Sequence, residues 1–202
     1  AMRDTAALGL PAEANGNLEG WLAAGTYEVT LGSSPAVVLT EMVTATKDIL
    51  TSLEVPESQW QETQIKASIL EREVISQTDL PKVARVIENR LTKPEAETVG
   101  FLQMDSTVLY GVGKYGGIPT AADLETDSPY NTYRHKGLPP APIATPSLAA
   151  IEAIVNPADG DWLYFVTVDL DTGETLFAST LSEQVMNQQK LDAWCAANPG
   201  RC

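Results

Sequence analysis

Residues 94–148 decide what this chain can become. They are rich in Gly, Pro, Thr, Tyr and Asn and hold only short apolar runs, between two stretches of regular hydrophobic periodicity. A structureless segment of that length is out of place inside a compact domain, so the tract reads as ordered loops arranged around a site. Upstream, Ser34-Pro35 offers an N-cap with proline at the first helical position, and Val38, Leu39, Met42, Val43, Ile49 and Leu50 recur at helical spacing. Pro56 breaks that pattern. The spacing predicts a second helix over 59–77, and Asp79 with Pro81 opens a third that carries Val83, Val86, Ile87 and Leu91 on one face. Ahead of the first helix lie a polar lead-in and two short candidate strands, 18–22 and 26–30. Downstream, residues 162–168 and 175–179 read as a hairpin around Asp169-Leu170-Asp171-Thr172-Gly173-Glu174. Thr180-Leu181-Ser182-Glu183 then has capping-box spacing and starts a last helix running to about Ala197. The expected class is α+β: a small N-terminal strand/helix subdomain over 1–55 and a compact mixed helix/sheet domain over 56–202.

Charge narrows the partners. With 13 basic and 27 acidic residues the formal charge is −14, which repels polyanions and makes nucleic acid and anionic membrane surfaces unattractive. The substrate is expected to be neutral, held by hydrogen bonds and stacking. No apolar stretch approaches the roughly 20 residues that span a bilayer. Ala1-Met2 reads as a cloning scar before an internal start, so an anchor or signal upstream is expected to be missing. The only cysteines are Cys195 and Cys202, either side of a Pro199-Gly200 turn signal; a disulfide is favoured over two reduced thiols, which implies an extracytoplasmic compartment. His135 is the only histidine and sits between Arg134 and Lys136. It reads as a solvated loop residue, and neither a metal nor a cofactor is expected.

The chemistry is therefore expected to run on carboxylates. Within the predicted second helix, the neighbours of Glu71 one turn away are Ala67, Ser68, Val74 and Ile75, none of them charged. Apolar surroundings disfavour a charged carboxylate, the condition a general acid needs near neutral pH. Glu73 lies about 160° away around the helix and shares a face with Glu62 and Lys66 that can stay wet. The bland alternative for Glu71 is a surface glutamate at a helix edge. Two loop segments add polar and aromatic groups: Leu102-Gln103-Met104-Asp105-Ser106-Thr107-Val108-Leu109-Tyr110-Gly111, and Tyr130-Asn131-Thr132-Tyr133 leading into Gly137-Leu138-Pro139-Pro140. Such side chains suit sugar hydroxyls and acetamido groups, although Asn, Ser and Thr also shape turns and tyrosines also edge cores.

Read in order, Leu18-Glu19-Gly20-Trp21, Ala67-Ser68-Ile69-Leu70-Glu71-Arg72-Glu73, Glu88-Asn89-Arg90-Leu91, Leu102-Gln103-Met104-Asp105-Ser106, Ala122-Asp123-Leu124-Glu125-Thr126, Asn131-Thr132-Tyr133, Gly137-Leu138-Pro139-Pro140 and Ile143-Ala144-Thr145-Pro146 resemble the catalytic domain of the YceG-like (MltG) endolytic murein transglycosylases. The resemblance covers about residues 18–190. It implies cleavage of the β-1,4 bond between N-acetylmuramic acid and N-acetylglucosamine inside peptidoglycan strands, leaving 1,6-anhydro-N-acetylmuramic acid ends and terminating nascent strands. It places the family's catalytic glutamate on Glu71, and it lines a glycan groove with Gln103, Asp105, Ser106, Tyr110, Asn131, Thr132, Tyr133 and Leu138. It further implies an ectodomain on the outer face of the bacterial cell membrane, held by an anchor and a LysM-like subdomain absent here, with peptidoglycan synthases as partners. The cysteine tail is not part of the family pattern. Two rivals stand beside this reading: a non-catalytic peptidoglycan-binding scaffold, and a muramidase-type hydrolase with a second carboxylate.

Overall fold

The structure is a computed structural model, and it describes residues 5–74 and 76–201. Seven α-helices and one two-stranded antiparallel sheet follow each other along the described residues: α1 (Pro35–Ser52), α2 (Trp60–Glu73), α3 (Leu80–Thr92), α4 (Asp105–Gly111), α5 (Ala121–Leu124), α6 (Leu148–Val155), β1 (Tyr164–Asp169), β2 (Glu174–Ala178) and α7 (Leu181–Ala197). This is the mixed α+β class read from the sequence. Ser34 caps α1 by accepting from the Ala36 N–H, with Pro35 in the first turn. Thr180 and Glu183 close the capping box that starts α7. Among the described residues no helix is long and apolar enough to cross a membrane.

Helix α2 is the axis of the fold. It packs against α3, α4 and α6, and its run from Thr63 to Ser68 is buried apart from the partly exposed Lys66. Trp21, Val43, Leu50, Ile69, Leu70, Ile87, Leu102 and Ile151 join one core around it. Encirclement by three helices explains why the face shared by Glu62 and Lys66 is not simply wet: Lys66 Nζ is 2.7 Å from Glu62 and 3.0 Å from Glu88.

Three local expectations change. The helix predicted over 59–77 stops at Glu73, where β-branched Val74 turns extended at φ −109° and ψ 127°; Ile75 lies outside the described residues. The segments 18–22 and 26–30 are not strands. Residues 18–22 form a turn, with the Trp21 N–H donating to the Leu18 carbonyl at 3.0 Å. Gly20 makes the turn possible: its φ is +81°, and a Cβ there would lie 2.4 Å from Pro142 Cβ. The tract 94–148 is ordered around the short helices α4 and α5, which the sequence spacing did not resolve.

The hairpin forms as expected, with Tyr164 opposite Ala178 and Val166 opposite Leu176. Its turn is fixed by Asp169 Oδ1, which accepts from the Asp171 and Thr172 N–H groups at 2.8 and 3.0 Å, and by Gly173 at φ +75°. Helix α7 lies against β1 and β2. The expected Cys195–Cys202 pairing lies outside the described residues, because Cys202 does.

Candidate active site

The end of α2, the start of α4 and the β1–α7 unit enclose a cavity of about 520 Å³. Glu73, Arg90, Gln103, Asp105 and Tyr133 line it, together with Phe165 of β1 and Gln184 and Gln188 of α7. A cavity of similar size, about 550 Å³, lies at the other end of α2, but its Lys66 is already engaged with Glu62 and Glu88.

Glu73 is the carboxylate that this arrangement isolates. The Ser106 N–H donates to its Oε1 at 3.0 Å. Burial pushes the Glu73 carboxyl above its ordinary range; Ser106 and Arg90 offset part of that rise, and the nearby Asp105 charge adds to it. Arg90 is only 5% exposed. Its Nε donates to the Leu163 carbonyl at 2.6 Å, its second nitrogen donates to the Leu102 carbonyl, and its guanidinium lies 5.4 Å from the Tyr164 ring centroid. One cation thus ties α3 to both the 102–106 segment and the hairpin while facing Glu73. Tyr133 Oη donates to Asp105 Oδ1 at 2.7 Å. Burial, with Asp105 next, pushes the phenol far above its ordinary value, so Tyr133 stays a donor.

Glu71 has a different setting from the one expected. It is exposed, and the helix ends two residues later, with Val74 already extended. Its Oε2 accepts from the Ser147 N–H at 3.0 Å and from the Ser147 hydroxyl at 2.6 Å. Ser147 in turn caps α6 by accepting from the Ala150 N–H. Glu71 therefore latches α2 to the N-terminus of α6, where a negative charge is favoured. Glu71→Gln is expected to lower stability by about 0.5–1.5 kcal/mol in a denaturant titration, the size of one charged capping contact.

The other anticipated groove residues divide. Gln103, Asp105 and Tyr133 converge on the cavity, and Ser106 reaches Glu73 through its backbone. Gln103 is held at φ +50°, a costly conformation for a residue other than glycine. Asn131 and Thr132 are buried and spend their polar atoms on the loop. The Asn131 amide donates to the Leu124 and Thr126 carbonyls at 2.9 and 2.8 Å, while its oxygen accepts from the Tyr133 N–H. Thr132 Oγ1 accepts from the Met104 N–H at 3.0 Å and meets Thr107 Oγ1 at 2.8 Å; since Thr107 donates to the Met104 carbonyl, Thr132 donates to Thr107. These two residues place Gln103 and Tyr133 instead of lining the cavity. Leu138 packs against the core, and Tyr110 packs against Tyr130 away from the cavity. Thr132→Val, which orphans the buried Met104 N–H, is expected to cost about 1–3 kcal/mol by equilibrium unfolding.

This combination of an α2-centred α+β core and a carboxylate-bearing cleft has recognisable relatives. The chain belongs to the YceG-like family, whose model matches residues 3–190. It is 41% identical over 124 residues to the endolytic murein transglycosylase of Bacillus subtilis strain 168, covering 61% of this chain and 32% of that one. It is 31% identical over 179 residues to the endolytic murein transglycosylase of Streptococcus pneumoniae serotype 2, covering 84% of this chain and 31% of that protein. A solved structure of a YceG-like protein from Listeria monocytogenes superposes with a TM-score of 0.71 at 36% identity, over 84% of this chain and 55% of that one. The chain thus spans about a third of the length of the curated relatives that it matches.

Proposed function

We propose that the chain is the catalytic part of an endolytic murein transglycosylase, and that Glu73, not Glu71, is its acid/base. The observation that carries the assignment is half-buried Glu73, whose carboxyl accepts from the Ser106 N–H, is destabilised in its charged form by desolvation, and faces a cavity with Gln103, Asp105 and Tyr133. Family membership supports the substrate class: a peptidoglycan strand cut between N-acetylmuramic acid and N-acetylglucosamine.

In this reading the Ser106 N–H occupies Oε1, so the neutral carboxyl carries its proton on Oε2. Glu73 gives that proton to the glycosidic oxygen as the bond to C1 breaks. The carboxylate left behind takes the proton of the muramoyl O6 hydroxyl while O6 closes onto C1. One proton leaves Glu73 and one returns, no water is consumed, and the product ends in a 1,6-anhydro sugar. Arg90 steadies the transient carboxylate from behind, and the Tyr133–Asp105 pair is placed to hold sugar hydroxyls. The work is done outside the cytoplasmic membrane, on nascent strands beside the peptidoglycan synthases, with anchoring supplied elsewhere in a longer protein.

Asp105 sustains a second reading, because its charge reaches Glu73 and a hydrolase of muramidase type needs a second carboxylate. Mass spectrometry of ends produced from uncrosslinked glycan strands separates the two. Anhydro ends are expected; ends that gain the mass of water would assign the chain to hydrolysis, and intact strands would leave a binding scaffold.

A further inference from the structure

Helix α7 brings three side chains to the cavity that the chemistry above does not use. Gln184, Gln188 and Leu191 all line it, and their i, i+4, i+7 spacing puts them on one stripe of the helix. Phe165 of β1 lines the same cavity, and Gln184 Nε2 donates to its carbonyl at 3.2 Å. That bond orients the amide: the nitrogen is held at β1 and the oxygen is left over. Gln184 Oε1 is buried and has no hydrogen-bond partner. A buried acceptor without a donor costs about 1–3 kcal/mol, so its presence in a folded protein points to a donor supplied from outside the chain. Gln188, one turn further on, is exposed. Its Nε2 donates to Asp192 Oδ1 at 3.1 Å, which again leaves the oxygen as the open end of the amide.

The two amides make the same offer. Their nitrogens are committed within the protein, and their oxygens can accept, from residues about 6 Å apart along the helix axis. Among the described residues, the lining that β1 and α7 contribute carries no charged side chain. Glu183, the carboxylate next to Gln184, spends its Oε2 on the Ser179 and Thr180 N–H groups at 2.9 and 3.1 Å. A neutral carbonyl acceptor in such a setting suits a neutral N–H donor. In the reading above, Glu73 serves the glycosidic oxygen and the Tyr133–Asp105 pair serves sugar hydroxyls. The acetamido N–H of an N-acetylated sugar is the donor that those groups leave unmet.

We propose that Gln184, seconded by Gln188, is a specificity-determining contact for the acetamido N–H of a sugar bound in the cavity. The sugar supplies the donor that Gln184 Oε1 lacks, and the amide turns about its broad terminal torsion to meet it. This rests on the murein reading above. The test titrates soluble uncrosslinked glycan strands by calorimetry into Glu73→Gln protein, which is expected to leave them uncut, and into the same protein carrying Gln184→Met or Gln188→Met. Gln184→Met is expected to weaken binding about five- to tenfold, the scale of one hydrogen bond, and Gln188→Met, at the exposed end, about two- to threefold. Oligomers of β-1,4-linked glucose, with a hydroxyl in place of the acetamido group, should not distinguish Gln184→Met from its parent. Thermal melts check that the fold survives. Proton–nitrogen NMR of the side-chain amides reads the contact without either methionine: the Gln184 signals should shift as strands are added, while those of Gln61, engaged with Trp21, stay in place. Equal strand affinity of Gln184→Met and its parent overturns the contact, and so do unmoved Gln184 signals in strand-saturated protein. An equal loss with the glucose oligomers assigns the contact to a hydroxyl and overturns the acetamido reading. Absence of strand binding by every form overturns the murein reading itself, a result distinct from strands that bind and leave Gln184 undisturbed.

Discussion

Glu73→Gln is expected to fold, to bind glycan strands, and to cut them about 10²–10⁴-fold more slowly, the range lost when a positioned general acid is removed. The amide keeps the shape and the acceptor for the Ser106 N–H, so the loss would be chemical and not structural. A second effect has the opposite sign. Because the folded carboxyl is shifted upward by burial, the neutral form fits the fold better than the charged one. Its contribution to stability is complete below the unfolded-state value and is lost as pH rises through the folded-state value. Glutamine stays neutral throughout, so Glu73→Gln should match the parent in acid and overtake it as pH rises. A gain of about 1 kcal/mol would appear as roughly 2–4 °C in melting temperature for a chain of this size. Slower turnover together with a higher melting point at neutral pH is the signature of a residue kept for chemistry at the expense of stability. A single carboxylate with a capping role would show neither. Glu71→Gln, by contrast, should melt lower and keep cutting strands.

Arg90→Leu should produce the largest loss of stability, about 3–5 kcal/mol, because it orphans two buried carbonyls at once. The guanidinium bonds Leu163 ahead of β1 and Leu102 ahead of α4, so the Gln103–Ser106 segment would lose this tie to α3 and the hairpin would be left with the bonds that Asn89 and Arg85 make to the segment leading into it. At roughly 2–4 °C per kcal/mol this is a drop easily seen by calorimetry. Arg90→Lys should recover only part of it, since a single ammonium cannot reach both carbonyls with a fork. It also retains a positive charge behind Glu73, whereas leucine removes one of the two influences that lower the Glu73 carboxyl. In protein that still folds, the alkaline limb of the cleavage profile should therefore move to higher pH for leucine than for lysine. Equal melting points for Arg90→Leu and the parent would show that the arginine is not the tie described here.

Much of the frame was legible because local signals there agree with tertiary need. Ser34-Pro35 starts α1, the Thr180/Glu183 box starts α7, and the Asp169–Gly173 turn joins two β-rich runs, each by contacts within a few residues. The misread parts depend on distant partners. Residues 18–22 look extended until Pro142 is seen to press on Gly20. Helical spacing showed correctly that Glu71 and Glu73 face opposite ways, but not which face would be covered. The cover for Glu73 comes from the Gln103–Ser106 segment and from β1 and α7, regions remote in sequence. The long tract 94–148 was the available signal, since ordered loops must lie over something. Among the anticipated groove residues, Gln103, Asp105 and Tyr133 face the cavity, while Asn131 and Thr132 carry the loop that sets them there. Polar side chains that build a site and those that line it look alike in sequence; their hydrogen-bond partners tell them apart.

The protonation state of Glu73 tests the account most directly. Carbon-13 NMR of glutamate-labelled protein, with the Glu73 carboxyl resonance assigned by its disappearance in Glu73→Gln, reads that state without any substrate. The account predicts a titration midpoint clearly above the ordinary glutamate value of about 4.3, moving further up in Arg90→Leu. A Glu73 midpoint at or below the ordinary value would leave the cavity without its neutral acid and contradict the assignment.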